Sequence, residues 1–231
     1  KGLECDKLSA AAATKHWQHF AQPIIDTLRN AGTPLQGIVM DSHEAGPQNW
    51  TEGFDTAFAR RRGYDLHRYL PALAGYVVGS VAETEAFCHD VRRTIADLMA
   101  DTYYGIFDRL CRANGITLTA QASGNAQNIV SDNFQAKGHV AKPQGEFWAK
   151  HVNGSYDMKE ASSAAHVYGK QIASAEAFTD ATYRHSLADL KSLADFAYCF
   201  GLNEFVVCAS AYQPWLDKRP GNTANGRQYC L

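Results

Sequence analysis

Short apolar runs alternate along the chain with longer stretches in which apolar residues recur every three or four positions. The runs at residues 37–40, 116–121, 171–178 and 204–209 have the near-continuous apolar character of strands covered on both faces of a parallel sheet. The pattern also predicts a short strand at residues 2–8. Residues 143–148 read as a very short strand or a strand-end loop.

The stretches between these runs predict helices. Ser9 is placed to cap a helix that Pro23 kinks and Gly32 ends. Residues 54–73 read as helix in pieces, broken near Gly63 and at Pro71, and a long helix is expected at residues 83–113. Two further helices are expected at residues 159–168 and 187–200.

Alternation of strands and helices predicts an α/β fold with a parallel sheet. An open doubly wound sheet and part of an eight-stranded barrel both fit the pattern. No Gly-x-Gly-x-x-Gly sequence and no P-loop follows any strand, which weakens a nucleotide-binding interpretation. Five or six strands are too few to close a barrel.

Composition narrows the class of protein. At 231 residues, 45% hydrophobic and 20% charged, the chain has the makeup of one large globular domain with a real core, spanning residues 1–231. A net charge of -2 and a pI near 6.5 give no support to nucleic-acid binding. No run approaches the roughly 20 apolar residues of a membrane span. Six scattered cysteines without a Cys-x-x-Cys pair suggest neither a zinc site nor a disulfide scaffold.

The chain has no initiating Met, and neither of its ends carries a capping signal. We therefore expect a fragment of a longer protein, so that a missing signal peptide says nothing about secretion.

Ionisable and amide side chains gather where the predicted strands end. Asp41, His43 and Glu44 follow the strand at residues 37–40, just before the chain breaks at Gly46-Pro47. In parallel α/β folds the carboxyl ends of the strands share one edge, and the loops that leave them converge on a ligand. The other predicted strand ends carry acids and amides typical of a carbohydrate site, namely Asp6, Gln121, Glu176 and Gln213.

Three glutamates are the candidate catalytic residues: Glu44, Glu146 and Glu176. Glycoside hydrolysis needs one carboxyl group as proton donor and a second as base or nucleophile. Burial or a neighbouring carboxylate raises the pKa of a strand-end Glu, which suits a general acid. A single Glu is more often an ion-pair partner, but three at successive strand ends favour catalysis.

Polar and aromatic residues beside these acids are candidate sugar contacts. Trp50 and Trp148 lie in polar segments next to the acids and suit a platform for a sugar ring, although most aromatic residues belong to the core. His43 is placed to hydrogen-bond a hydroxyl or to tune Glu44. The full set of predicted substrate contacts is Asp41, His43, Gln48, Asn49, Trp50, Gln121, Trp148 and Gln213.

The chain resembles the α-L-rhamnosidases of glycoside hydrolase family 106. The resemblance is carried in order by residues 2–7, 41–50, 61–65, 145–148, 164–170 and 175–178, which include Asp-Ser-His-Glu at 41–44, Gly-Glu-Phe-Trp at 145–148 and Ala-Glu-Ala-Phe at 175–178. It implies the larger, C-terminal part of a catalytic (β/α)8 TIM-type barrel. The loop at Gln121–Gly124 departs from the acidic or aromatic sugar-binding loop expected there.

The resemblance also implies an activity. Such enzymes remove terminal α-L-rhamnose with inversion, often from plant pectin, with a calcium ion near the substrate and no organic cofactor, and a bacterial periplasmic or secreted enzyme is implied. Glu44 would be the general acid and Glu176 the base that activates water, with Glu146 assisting or sharing that role. In an inverting site the acid and base stand roughly 6.5–9.5 Å apart. The metal ligands stay undetermined.

Two rival interpretations stay open. In one, the chain comes from a non-catalytic carbohydrate-binding relative whose acids only bind hydroxyl groups. In the other, it comes from a retaining glycosidase of different sugar specificity, whose carboxyl groups stand nearer 5 Å apart.

Overall fold

A computed structural model describes residues 4–123, 131–149, 155–182, 184–208, 211–215, 217, 219 and 222. Its sheet has five strands, all parallel, in the spatial order of the sequence: β1 (Gly37–Met40), β2 (Thr117–Ala120), β3 (Lys142–Trp148), β4 (Ser174–Thr179) and β5 (Glu204–Val207). Each strand is followed by its sequential neighbour, which is the topology of a curled half-barrel. The predicted α/β class and parallel sheet are confirmed, and the five described strands form a curled half-barrel that is consistent with an incomplete TIM-type barrel.

Eight α-helices occur in the described part of the chain: α1 (Ala10–His16), α2 (Gln22–Asn30), α3 (Phe54–Arg62), α4 (Val81–Leu98), α5 (Gly105–Ala113), α6 (Asn133–His139), α7 (Ser155–Val167) and α8 (Leu187–Cys199). Two π-helical turns, Trp17–Ala21 and Met99–Tyr104, join α1 to α2 and α4 to α5. The predicted long helix is thus present as one helical run with a π turn inside it. Ser9 caps α1 as expected, its Oγ accepting the N–H of Ala12.

Three expectations about elements were wrong. Described residues 4–8 form a turn instead of a strand, because the Asp6 carboxylate accepts the backbone N–H of Leu8 and ties the chain back on itself. The region at 143–148, expected to be very short, belongs to the seven-residue β3. Pro71 lies inside the 3₁₀ helix His67–Ala74 and does not break it. Helix α6, capped by Asp132, was not predicted.

Close packing of α7 on β3 fixes which way the β3 side chains face. A Cβ atom at Gly145 would lie 2.5 Å from the backbone oxygen of Asp157 in α7, so only glycine fits there. Since side chains alternate along a strand, Gln144 and Glu146 face the opposite side, towards the barrel interior. On β4, Ala175 and Ala177 pack with the helices in the same way.

The edges of the sheet carry inward apolar side chains that are open to solvent. Val39 on β1 pairs in register with Thr119, and Val206 on β5 pairs with Glu176. Val39 is 52% exposed and Val206 is 36% exposed. A closed barrel covers such interior positions, so their exposure agrees with a sheet that is part of a larger barrel.

Candidate active site

Two carboxylates face each other across the central strands of the sheet. Glu146 on β3 and Glu176 on β4 are direct register partners, so both project from the interior face one strand spacing apart. Asp41 follows β1 and Gln121 follows β2 at the same edge. The structure therefore brings four of the predicted site residues to the carboxyl ends of four neighbouring strands.

Both oxygens of Glu176 accept hydrogen bonds. Gln121 Nε2 donates to Oε2 at 2.7 Å, and Thr179 Oγ1 donates to Oε1 at 2.9 Å. Thr179 lies three residues after Glu176 and would face away in a regular strand. A register shift opposite β3 and a left-handed backbone at Phe178, with φ of 63°, turn it back towards the carboxylate. The local strain thus serves to hold Glu176 as an acceptor.

Burial and neighbouring negative charges raise the pKa of two carboxyl groups in this cluster. Burial, followed by the negative charges of Glu176 and Asp157, raises the pKa of Glu146 to about 7. Burial also raises the pKa of Asp41, which is further raised by Glu176 and Glu44. A side-chain hydrogen bond with Glu176 contributes further to the raised pKa of Asp41.

Cys208, directly after β5, completes the surroundings of Glu176. Burial and a hydrogen bond to Glu176 raise the pKa of this thiol to about 12, so it stays protonated and acts as a weak donor.

Glu44 reaches the same region from a loop. Its side chain is exposed, and Ser42 Oγ donates to its Oε1 at 2.7 Å. With Asp41, Lys7 and Tyr103 it lines a depression of about 420 Å³. Because the charge of Glu44 acts on Asp41, which in turn bonds Glu176, the three predicted acids belong to one electrostatic group.

His43 and Gln48 fix the loop that carries Glu44. The His43 N–H donates to Ala122 O at 2.8 Å, and its Nε2 lies 2.9 Å from Gly46 O. Gln48 Nε2 donates to Asp6 while its Oε1 accepts the N–H of Lys7. Three of the four side-chain nitrogen and oxygen atoms of His43 and Gln48 therefore bond to protein, which gives both residues a role in loop geometry.

The remaining predicted sugar contacts differ in exposure. Trp50 is 46% exposed and packs against Phe54 with ring centroids 4.8 Å apart, and Trp148 is 38% exposed at the end of β3. Asn49 is exposed in the same loop as Trp50. Gln213 bonds the backbone of Asn222 with both ends of its amide. Their substrate roles stay predictions.

Sequence reasoning missed a buried ionic group behind Glu146. The backbone N–H of Glu146 donates to the Asp157 carboxylate, and Lys137 Nζ lies 3.0 Å from Asp157 and 2.6 Å from Glu160. Lys137 is fully buried. Gly145 was the one available signal, since a strand glycine marks close approach of another backbone.

Within the described ranges, no three or more His, Cys, Asp or Glu side chains are grouped so as to hold a metal ion. Calcium also binds backbone and amide oxygens and water, so the calcium ion that the resemblance implies stays a prediction. Among the described helices, none has the length and apolar character needed to cross a membrane.

A parallel sheet with acids at the ends of its strands is the arrangement of many glycoside hydrolases, and comparison with known families agrees with that class. The chain matches the glycoside hydrolase family 106 model, described as alpha-L-rhamnosidase, over residues 1–230, and it belongs to that family.

Two relatives place it more closely. A protein of Formosa agariphila named "Putative beta-glucuronidase" is 40% identical over 222 residues, which are 95% of this chain and 19% of that protein. The solved structure of a rhamnosidase from Novosphingobium sp. PP1Y superposes with a TM-score of 0.87 at 30% identity, covering 95% of this chain and 22% of that one. The chain thus spans about a fifth of each relative's length.

Proposed function

We propose that the protein to which this chain belongs is a glycoside hydrolase that removes terminal α-L-rhamnose with inversion. The observation that carries the proposal is the register pair Glu146–Glu176, joined through Asp41 to Glu44 at the carboxyl edge of the sheet. Family membership and the similarity to a rhamnosidase structure support rhamnose as the sugar that is removed. Plant pectin as the source of substrate and a periplasmic or secreted bacterial location belong to the same proposal.

Glu44 is the proposed general acid. It lies on an exposed loop, where a leaving-group oxygen has access to it, and a protonated carboxyl group there transfers its proton to that oxygen. Ser42 orients the carboxyl group through its hydrogen bond.

Glu176 is the proposed base that removes a proton from the attacking water. Gln121 and Thr179 hold its two oxygens in place, which fits a group whose position must be fixed relative to the sugar. Glu146, whose pKa is raised to about 7, assists: when Glu146 is protonated, it places no second negative charge opposite Glu176.

Leaving-group dependence tests these roles in the full-length protein. Glu44→Gln should lose most activity on a rhamnoside with a poor leaving group and retain far more on an aryl rhamnoside that needs no protonation. Glu176→Gln should be slow on both. Glu85→Gln, an exposed glutamate on α4, is the matched control. Equal losses on both substrates for Glu44→Gln would remove the acid assignment.

A glycosidase of different sugar specificity is the second candidate, because the Formosa relative is named for glucuronide hydrolysis. A panel of aryl glycosides, including α-L-rhamnoside and β-D-glucuronide, separates the two. The same panel with and without a chelator tests the proposed calcium ion. Because the described residues contain no cluster of three acidic side chains, its ligands would include other oxygens, such as backbone carbonyl groups.

A further inference from the structure

Three depressions that share lining residues extend from Glu44 to helix α4, and we refer to them together as the groove. The first is the depression of about 420 Å³ that Glu44 and Asp41 line. It shares His43 and Ala45 with a second depression of about 350 Å³. The second shares Pro47 and Gln48 with a third of about 500 Å³, against helix α4, which we term the arginine pocket.

The arginine pocket carries positive charge. Its lining includes His89, Arg92, Arg93 and the single acid Asp132. Arg93 is neutralised, with Asp132 at 2.9 Å and Asp97 at 3.3 Å. Arg92 has no ion pair or hydrogen bond within the part of the chain that the structure describes, so its guanidinium is available to a ligand.

The two ends of the groove select for opposite charges. Asp41, Glu44, Glu146 and Glu176 at the catalytic end repel an anion, whereas Arg92 at the far end attracts one. The volume of the arginine pocket lies in the range of small-molecule sites, and Pro47 and Ile95 supply apolar surface for the C–H face of a sugar ring. Asn49, exposed on its wall, supplies an amide for hydroxyl groups.

The direction of the groove identifies which part of a glycan would enter it. It begins at Glu44, the proposed donor of a proton to the leaving oxygen, so the chain beyond that oxygen continues along the groove. We propose that the arginine pocket is a subsite for an acidic sugar residue on the leaving-group side of rhamnose, with Arg92 binding its anionic group. This inference rests on the proposed function, because the role of Glu44 as proton donor decides which part of the glycan enters the groove.

The test uses the full-length protein and three matched sets of rhamnose-terminated oligosaccharides: one with a uronic acid, one with that carboxyl group reduced, and one with a sulfate ester. Arg92→Gln should lower kcat/KM about tenfold or more on the acidic substrates, as expected for loss of a charge-assisted hydrogen bond. It should leave the reduced substrate and a simple aryl rhamnoside within about twofold. Arg109→Gln, an exposed arginine on α5, should change none of them.

Selective loss on the carboxylated or on the sulfated set supports the subsite and tells which anion it takes. Equal loss on the reduced substrate, or no loss on either acidic set, would overturn it. Calorimetry on a Glu176→Gln background gives a second readout: the acidic oligosaccharide should bind more weakly once Arg92 is also replaced. If the wild type cleaves no rhamnoside at all, the proposed function fails, while the binding difference still decides the subsite.

Discussion

Glu176 and Glu44 reach the same edge of the sheet by different routes. Glu176 projects from the fourth of five paired strands, both of its oxygens accept hydrogen bonds, and a neighbouring carboxylate is fixed in register with it. Glu44 lies on an exposed loop and accepts one side-chain hydrogen bond, from Ser42. A base must hold one water at a fixed place, whereas a proton donor must meet leaving groups of varied shape, and the two settings suit these different demands.

The largest expected effect is on the strand-borne acid. Glu176→Gln should lower kcat on an aryl α-L-rhamnoside by about 10²–10⁴-fold, because the amide cannot accept a proton from water. The reaction is followed by release of the aryl group, and circular dichroism checks that the fold is kept. Glu85→Gln is the control and should keep full activity. Near wild-type turnover would show that the strand pair is not the catalytic centre.

Removing the cation from the buried ionic group behind Glu146 should cause a large loss of stability. Lys137→Met leaves Asp157 and Glu160 buried without their cation, which costs about 3–5 kcal/mol in the free energy of unfolding. Hydrogen exchange in peptides from β3 and α7 measures it. Lys191→Met removes an exposed ion pair with Asp195 and should cost no more than about 1 kcal/mol. Similar protection in both variants would contradict the role given to Lys137.

The pH dependence sharpens the comparison, because burial and neighbouring carboxylates raise the pKa of Glu146 to about 7. As pH rises through 7, Glu146 gains a charge opposite Glu176, so kcat/KM should fall. Glu146→Gln should move that fall in kcat/KM to higher pH, because the amide cannot ionise. The folded state binds this proton more tightly than the unfolded chain does. The free energy of unfolding should therefore fall as pH rises from the unfolded pKa of Glu146 through 7, and this contribution should level off once Glu146 is ionised in both states. Thermal unfolding as a function of pH checks this, and an unchanged profile in the variant would exclude the assignment.

Removing one support of Glu176 should have a smaller effect. Gln121→Leu deletes the 2.7 Å hydrogen bond to the carboxylate and should lower kcat about tenfold, in line with one bond to a charged group. Thr179→Val provides a second case on the other oxygen. If neither substitution changes kcat, the strand pair is not held by these contacts.

The smallest effect is expected on the loop. Ser42→Ala removes the hydrogen bond to Glu44, but solvent replaces it, so kcat should fall only about two- to fivefold. The comparison of Ser42→Ala with Gln121→Leu in one assay is the direct measure of how differently the two acids are held. A larger loss for Ser42→Ala would reverse our account.

The sequence predicted the strands because an interior strand must be apolar, and it located all three glutamates because parallel strands end at a common edge. It did not show that Glu146 and Glu176 are register partners, since register depends on pairing between distant segments. The role of Thr179 depended on a positive φ at Phe178, which no local pattern announces. Lys137 and Asp157 lie on helices whose packing brings them together, and neither carries a signal in isolation.

At residues 2–8 the sequence pattern predicted a strand that the structure does not contain in its described residues 4–8. Its apolar residues suggested a strand, but the Asp6 carboxylate accepts the backbone N–H of Leu8, and this local bond favours a turn. The same carboxylate also accepts hydrogen bonds from the distant side chains of Gln48 and Thr51. A polar residue that bonds nearby backbone competes with sheet pairing, so short patterns that contain Asp are poor evidence for strands.

The anomer of the first sugar released by the full-length protein tests the central claim most directly. Proton NMR recorded immediately after mixing with an aryl α-L-rhamnoside should show β-L-rhamnose first, because a water activated by Glu176 attacks from the face opposite the leaving group. Appearance of α-L-rhamnose first would mean a covalent intermediate and would contradict the roles assigned to Glu44 and Glu176.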